Sequence, residues 1–138
     1  MKILVGHDGS EQADRALSRA MEIAAAMKAS LTVLTVVPDL CMMELSDDDC
    51  KSMYEIMTEE SKKRLAALAK KLAKKGVKME FLVKFGKDAE TIIKTAAEKK
   101  ADFVVIGSHG RHGAKKFLLG SVSSRVVEHA ACNVLVVK

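Results

Sequence analysis

Short apolar runs rich in β-branched residues alternate along the whole chain with stretches whose apolar residues recur at helical spacing. No other feature restricts the fold as much. The runs are Lys2 to Gly6, Leu31 to Val37, Met79 to Phe85, Phe103 to Gly107 and Asn133 to Val137. Strands alternating with helix-length connections predict a parallel sheet with crossover helices, in a single domain over residues 1–138. The first helix begins near Ser10, with Ala13, Ala16, Leu17, Ala20, Met21, Ala24 and Met27 as its buried stripe. A second, from Asp47 to about Lys75, starts acidic and ends lysine-rich, which complements a helix dipole; Glu59 with Lys63 and Glu60 with Arg64 are spaced as i,i+4 pairs, and Gly76 is its natural stop. A third, Asp88 to Lys99, places Ala89, Ile92, Ile93, Ala96 and Ala97 on one face, and a fourth runs from Gly120-Ser121 to about Ala131.

The strands differ in pattern. Leu31 to Val37 and Phe103 to Gly107 are nearly continuous apolar runs, as strands covered on both faces should be, whereas Met79 to Phe85 carries Glu80 and Lys84 and reads as an edge. Right-handed crossovers then give a doubly wound order of 3-2-1-4-5, with a switch point between strands one and four. Ligands bind at such points, so Gly6 to Ser10 and Gly107 to Gly120 should meet around one crevice. The latter loop, with Gly107, Gly110 and Gly120-Ser121, suits a phosphate-bearing ligand. Glycines allow positive φ and close backbone approach, the following helix start offers unpaired amides, and Ser121, Ser123 and Ser124 add hydroxyls. It is neither a Walker loop nor the Rossmann fingerprint.

Composition narrows the alternatives. No apolar stretch approaches the roughly 18 residues of a membrane span, and the apolar run after Met1 is too short for a signal peptide, so a cytoplasmic protein is expected. Three cysteines, Cys41, Cys50 and Cys132, are an odd number without a C-x-x-C pair and indicate neither a disulfide framework nor a zinc knuckle; Cys132 reads as a buried packing residue. A net charge of +5 raises nucleic acid as a partner, but much of the charge lies on one helix face between Lys62 and Lys78, and an aromatic content of 4% leaves bases little to stack on. His109 and His112 form H-x-x-H without a third ligand in sequence reach, which argues against a metal site. His7 and His129 read as structural or exposed. The stretch Pro38 to Met53, with Cys41, Met42 and Met43, is either a loop over the site or a surface crossover packed on the sheet.

The segments VGHDGSE (Val5 to Glu11), LTVLTVVP (Leu31 to Pro38), ADFVVIGSHG (Ala101 to Gly110) and GSVSSRVVEHAACNVLVV (Gly120 to Val137) resemble the universal stress protein family over essentially the whole chain. One branch of that family binds ATP through G-2x-G-9x-G-[S/T], and Gly107, Gly110, Gly120 and Ser121 fill the pattern. The resemblance implies that Asp8 accepts hydrogen bonds from the ribose hydroxyls and that the Val36 backbone contacts adenine. It places Ile106 and Gly107 beside the base and ribose, and Gly110, Gly120, Ser121, Val122 and Ser123 around the phosphates. Arg111, Lys115 and Lys116 either neutralise phosphates or are simply solvated. Asn133, where relatives often have proline, and His7, where they often have an apolar residue or tyrosine, are departures outside the phosphate motif. The resemblance also implies a homodimer through Asn133 to Val137, which would cover an apolar edge strand.

Three functions stay open: an ATP-binding stress-response switch or binding module, a slow ATPase or phosphotransferase at the same site, and a nucleotide-free interaction module. The ligand would be ATP, or AMP or ADP, with Mg²⁺ or Mn²⁺ carried by the phosphates. No catalytic base is evident, and the enzyme reading is the weaker one. A downstream protein partner is not legible.

Overall fold

The computed structural model describes residues 1–39, 46–72, 76–110 and 119–138. Five parallel strands form one sheet: β1 (Lys2–Gly6), β2 (Ser30–Pro38), β3 (Met79–Gly86), β4 (Phe103–Gly107) and β5 (Asn133–Val137), in the order β3-β2-β1-β4-β5. The helices are α1 (Glu11–Met27), α2 (Asp47–Leu72), α3 (Asp88–Lys99) and α4 (Ser121–His129). The order is the one the strand patterns predict. Edge strand β3 keeps its charges paired to α3, Glu80 with Lys99 at 2.8 Å and Lys84 with Glu98.

Alternation along β1 divides the core between the sheet faces. Ile3 and Val5 join Leu17, Met21, Leu31, Val33 and Leu65 on the face covered by α1 and α2, while Leu4 packs with Leu34, Ile92, Val104, Ile106 and Val126 on the α3 and α4 face. Burying both faces needs apolar residues at every position of the middle strands, and Ile3, Leu4 and Val5 are at most 1% exposed. Ser10 caps α1 by accepting from the Ala13 amide at 3.1 Å.

Several details differ from the periodicity. Met27 is 51% exposed because α1 ends at Lys28, which takes a left-handed conformation, and Ala97 is exposed on α3. The expected pairs Glu59–Lys63 and Glu60–Arg64 do not form among the described residues; Glu59 pairs with Lys62 instead, at 3.3 Å. Arg64 turns toward the start of α1 and lies over Gly9, whose missing Cβ would sit 2.8 Å from its Nη1. Helix α4 stops at His129, shorter than its pattern. Cys132 is half-buried against the second core cluster rather than fully buried, and desolvation, with a smaller contribution from Asp102, raises its thiol pKa and keeps it protonated. The cluster of Cys41, Met42 and Met43 lies outside the described residues. No described helix is long and apolar enough to cross a membrane.

Candidate ligand pocket at the switch point

Where β1 and β4 part toward α1 and α4, the loops after both strands open a pocket of about 310 Å³, within the range of small-molecule sites. Its β1 side is held rigidly. The His7 amide donates to the Leu34 carbonyl at 2.8 Å and the Thr35 hydroxyl to the His7 carbonyl at 2.8 Å, tying the strand end to β2. The buried His7 imidazole meets Asp14 on α1 at 3.0 Å through Nε2, and its Nδ1 has no hydrogen-bond partner among the described residues. These contacts make His7 a structural post under the loop. Asp8 follows, with Oδ1 accepting from the Ser10 amide at 2.9 Å.

The β4 side is built by close approach. A Cβ at Gly107 would lie 2.9 Å from Gln12 Cβ and 3.1 Å from the Gln12 backbone, and one at Gly110 would lie 2.7 Å from Asp8 Oδ2. The positive-φ glycines among the described residues are Gly9, Gly76 and Gly86, so Gly107 and Gly110 serve by leaving room and not by a left-handed backbone.

Ser123 also differs from its reading as an anion donor. Its hydroxyl is buried and shares its one proton between the Ser108 carbonyl at 2.8 Å and the Gly120 carbonyl at 2.9 Å, so it is spent on tying α4 to the end of β4. The Gly120 amide also donates to Ser108 O, at 2.7 Å. Within α4 the first hydrogen bond is donated by Ser124 to Gly120 O, at 2.9 Å. The amides of Ser121, Val122 and Ser123 therefore precede the helical ladder and have no acceptor within it. With the positive end of the helix dipole, they can receive an anion.

All of Asp8, Val36, Ile106, Gly107, Gly110, Gly120, Ser121, Val122 and Ser123 line this one pocket. Ser124 does not. Arg111, Lys115, Lys116 and His112 lie outside the described residues. His109 lines the pocket, with Nδ1 3.2 Å from Ser108 Oγ, and no group of three or more His, Cys, Asp or Glu residues arranged to hold a metal ion occurs among the described residues.

The sequence reading did not place Leu34, Ile92 and Asp88 in the pocket, although all three line it. The signal for Asp88 was present: it stands four residues before Ile92, on the same face of α3. Its carboxyl pKa is raised, first by desolvation and second by the Asp8 carboxylate. No hydrogen bond or ion pair engages it among the described residues, in contrast to Glu90 two residues on, which meets Arg125 at 3.5 Å and Lys87 at 3.9 Å.

A doubly wound parallel sheet with a glycine-lined pocket at its switch point defines an α/β protein of the class whose candidate ligand site lies at the strand ends. Comparison with known proteins takes this further. The model of the universal stress protein family matches residues 1–138, and the chain belongs to that family. Universal stress protein MJ0531 of Methanocaldococcus jannaschii is 34% identical over 138 residues, covering 99% of this chain and 81% of that one. Universal stress protein UspA from Lactobacillus plantarum superimposes with a TM-score of 0.92 at 27% identity, covering 100% of this chain and 97% of the other. Two similar structures carry nucleotides: a universal stress protein in complex with cAMP (TM-score 0.66, 29% identity, 100% and 96% covered) and one from Archaeoglobus fulgidus in complex with dAMP (TM-score 0.72, 26% identity, 100% and 98% covered).

Proposed function

We propose that this protein binds adenine nucleotides, ATP foremost, in the switch-point pocket and acts as a nucleotide-dependent binding module in a stress response. The observation that carries this reading is the division of one pocket into three chemistries. The amides of Ser121, Val122 and Ser123, which have no acceptor within α4, suit phosphates, the Asp8 carboxylate suits ribose hydroxyls, and the apolar walls of Leu34, Val36, Ile92 and Ile106 suit a base. The cAMP and dAMP held by two relatives support the adenine class. Mg²⁺ or Mn²⁺ would arrive on the phosphates.

The switch follows from connectivity. Gly110 and Gly120 stand at the two ends of residues 111–119 and both line the pocket, so a phosphate seated there would lie near each end of that segment. A ligand that favours one arrangement of the segment shifts its population toward that arrangement.

The test is the nucleotide content of freshly purified protein, by chromatography and mass spectrometry, with Gly120→Val as control. A Cβ at Gly120 comes no nearer than 3.4 Å to Ser108 O, and its φ of −75° and ψ of 167° suit valine. The Cβ is therefore accommodated, the two further methyl groups add bulk at the anion end, and a melting curve of the unliganded variant verifies that it is folded. Adenine nucleotide in the wild type and none in the variant is the expected result. A wild type that is empty and also fails to bind added ATP would overturn the reading in favour of a nucleotide-free module.

A further inference from the structure

Within the pocket, the walls farthest in chemistry from the anion end are Leu34 and Val36 of β2, Ile92 of α3 and Ile106 of β4. The side chains of such walls hold the faces of a planar base by dispersion and burial but cannot tell one base from another, because every base has similar faces, so any discrimination beyond a Val36 backbone contact rests on a polar side chain. Discrimination requires a polar group at the base edge. Asp88 is the first residue of α3, and the i,i+4 relation to Ile92 sets its side chain beside that wall, on the same side of the helix. Its carboxylate has no hydrogen-bond or ion-pair partner among the described residues. Lys87, the nearest cation in sequence, is engaged with Glu90 at 3.9 Å. An ionised carboxylate only accepts hydrogen bonds, so its complement is a donor on the ligand. The sugar hydroxyls already have Asp8.

We propose that Asp88 is the side chain of the pocket that reads the base, accepting a hydrogen bond from the exocyclic amino group of a 6-amino purine. This rests on the nucleotide reading above and adds to it the origin of base selectivity. Leaving out the amino group leaves the carboxylate without its donor, and a site built around a polar partner rejects an analogue that lacks it. Asp88 stands at the pocket rim, where water competes, so the effect belongs to the modest class of net hydrogen-bond contributions.

The experiment compares ATP with purine riboside 5′-triphosphate, which lacks only the 6-amino group, by titration calorimetry on wild type, Asp88→Ala and Asp88→Asn. The wild type is expected to prefer ATP by about three- to tenfold. Asp88→Ala should narrow that preference. Asp88→Asn keeps an acceptor oxygen of the same reach and should restore the preference, which loss of structure or of helix capping would not do. Melting curves of the unliganded variants verify that each is folded. Equal binding of both nucleotides by the wild type, or an undiminished preference in Asp88→Ala, would overturn the assignment while leaving the nucleotide site standing. A wild-type preference for GTP over ATP that vanishes in Asp88→Ala would also overturn it, assigning Asp88 to the N1 and 2-amino donors of guanine. Failure of the wild type to bind any of the nucleotides would remove the nucleotide reading and this inference together.

Discussion

Asp88 and Asp8 share one pocket, and the electrostatic consequence is measurable without any ligand. Desolvation, then Asp8, raises the Asp88 pKa above its ordinary 3.8. A carboxyl whose pKa is higher in the folded than in the unfolded chain binds more protons on folding. Its favourable contribution is complete below 3.8 and is lost as pH rises through the raised value. At neutral pH the ionised group therefore counts against the fold, and Asp88→Asn is expected to melt above the wild type. Melting curves taken down an acid series should show that gap close as the pH falls toward 3.8 and below. At Gly107 the constraint is steric. A methyl group there meets the backbone of Gln12 at 3.1 Å, and backbone cannot swing aside, so Gly107→Ala should cost about 1–3 kcal/mol of stability in denaturant titrations. The residue types of the loop motif were legible in the sequence, but the reason for them was not. Glycine spacing alone does not distinguish a need for positive φ from a need for room, and the latter depends on how closely α1 approaches β4.

At the level of elements, α4 joins two tasks that its serines divide between them. Ser121 is exposed at the helix start, whereas Ser123 is 2% exposed and bonded to two carbonyls. Ser123→Ala should destabilise the protein by about 1 kcal/mol, because the Ser108 carbonyl keeps its bond from the Gly120 amide and is not orphaned. Ser121→Ala should leave the melting temperature within a degree or so of wild type, as expected for an exposed site, while weakening nucleotide binding. Paired melting and binding measurements separate the two. Strand positions and helix starts were readable because burial on both sheet faces and capping chemistry write themselves into local sequence, as in Ile3 to Val5 and at Ser10. Met27 and Ala97 were not: Met27 is the last residue of α1 before its cap Lys28, and the buried face of α3 runs through Thr95 and Ala96, a direction that a count of apolar residues does not show. The Arg64 side chain was misjudged for a related reason: helical spacing offered Glu60, and only the packing of α2 over Gly9 reveals the other direction.

For the whole molecule, the outcome of strand order is two edges of different character. Edge β3 carries Glu80 and Lys84 paired to α3, which discourages a second chain from adding there. Edge β5 has only Asn133 exposed at its start, and Val134 to Val137 are half-buried. Pairing of β5 with its two-fold mate would bury that row, and the protein is expected to be a homodimer. Static light scattering at micromolar concentration should report twice the 15.0 kDa of one chain; a monomer mass would count against the assembly. The pocket lies on the loops at the strand ends and not on β5, so a dimer built this way leaves both sites accessible.

The Ser108 carbonyl, which receives both the Gly120 amide and the Ser123 hydroxyl, acts as a clasp at the neck of the excursion between β4 and α4. Tying Gly120 and Ser123 to Ser108 fixes the start of α4 against the end of β4 whatever the length of chain that joins them. Doubling that length would add only about 0.6 kcal/mol of closure entropy, and the amides of α4 would stay where they are. Length can therefore be gained or lost between β4 and α4 without moving Ser121, Val122 and Ser123 from the strand ends.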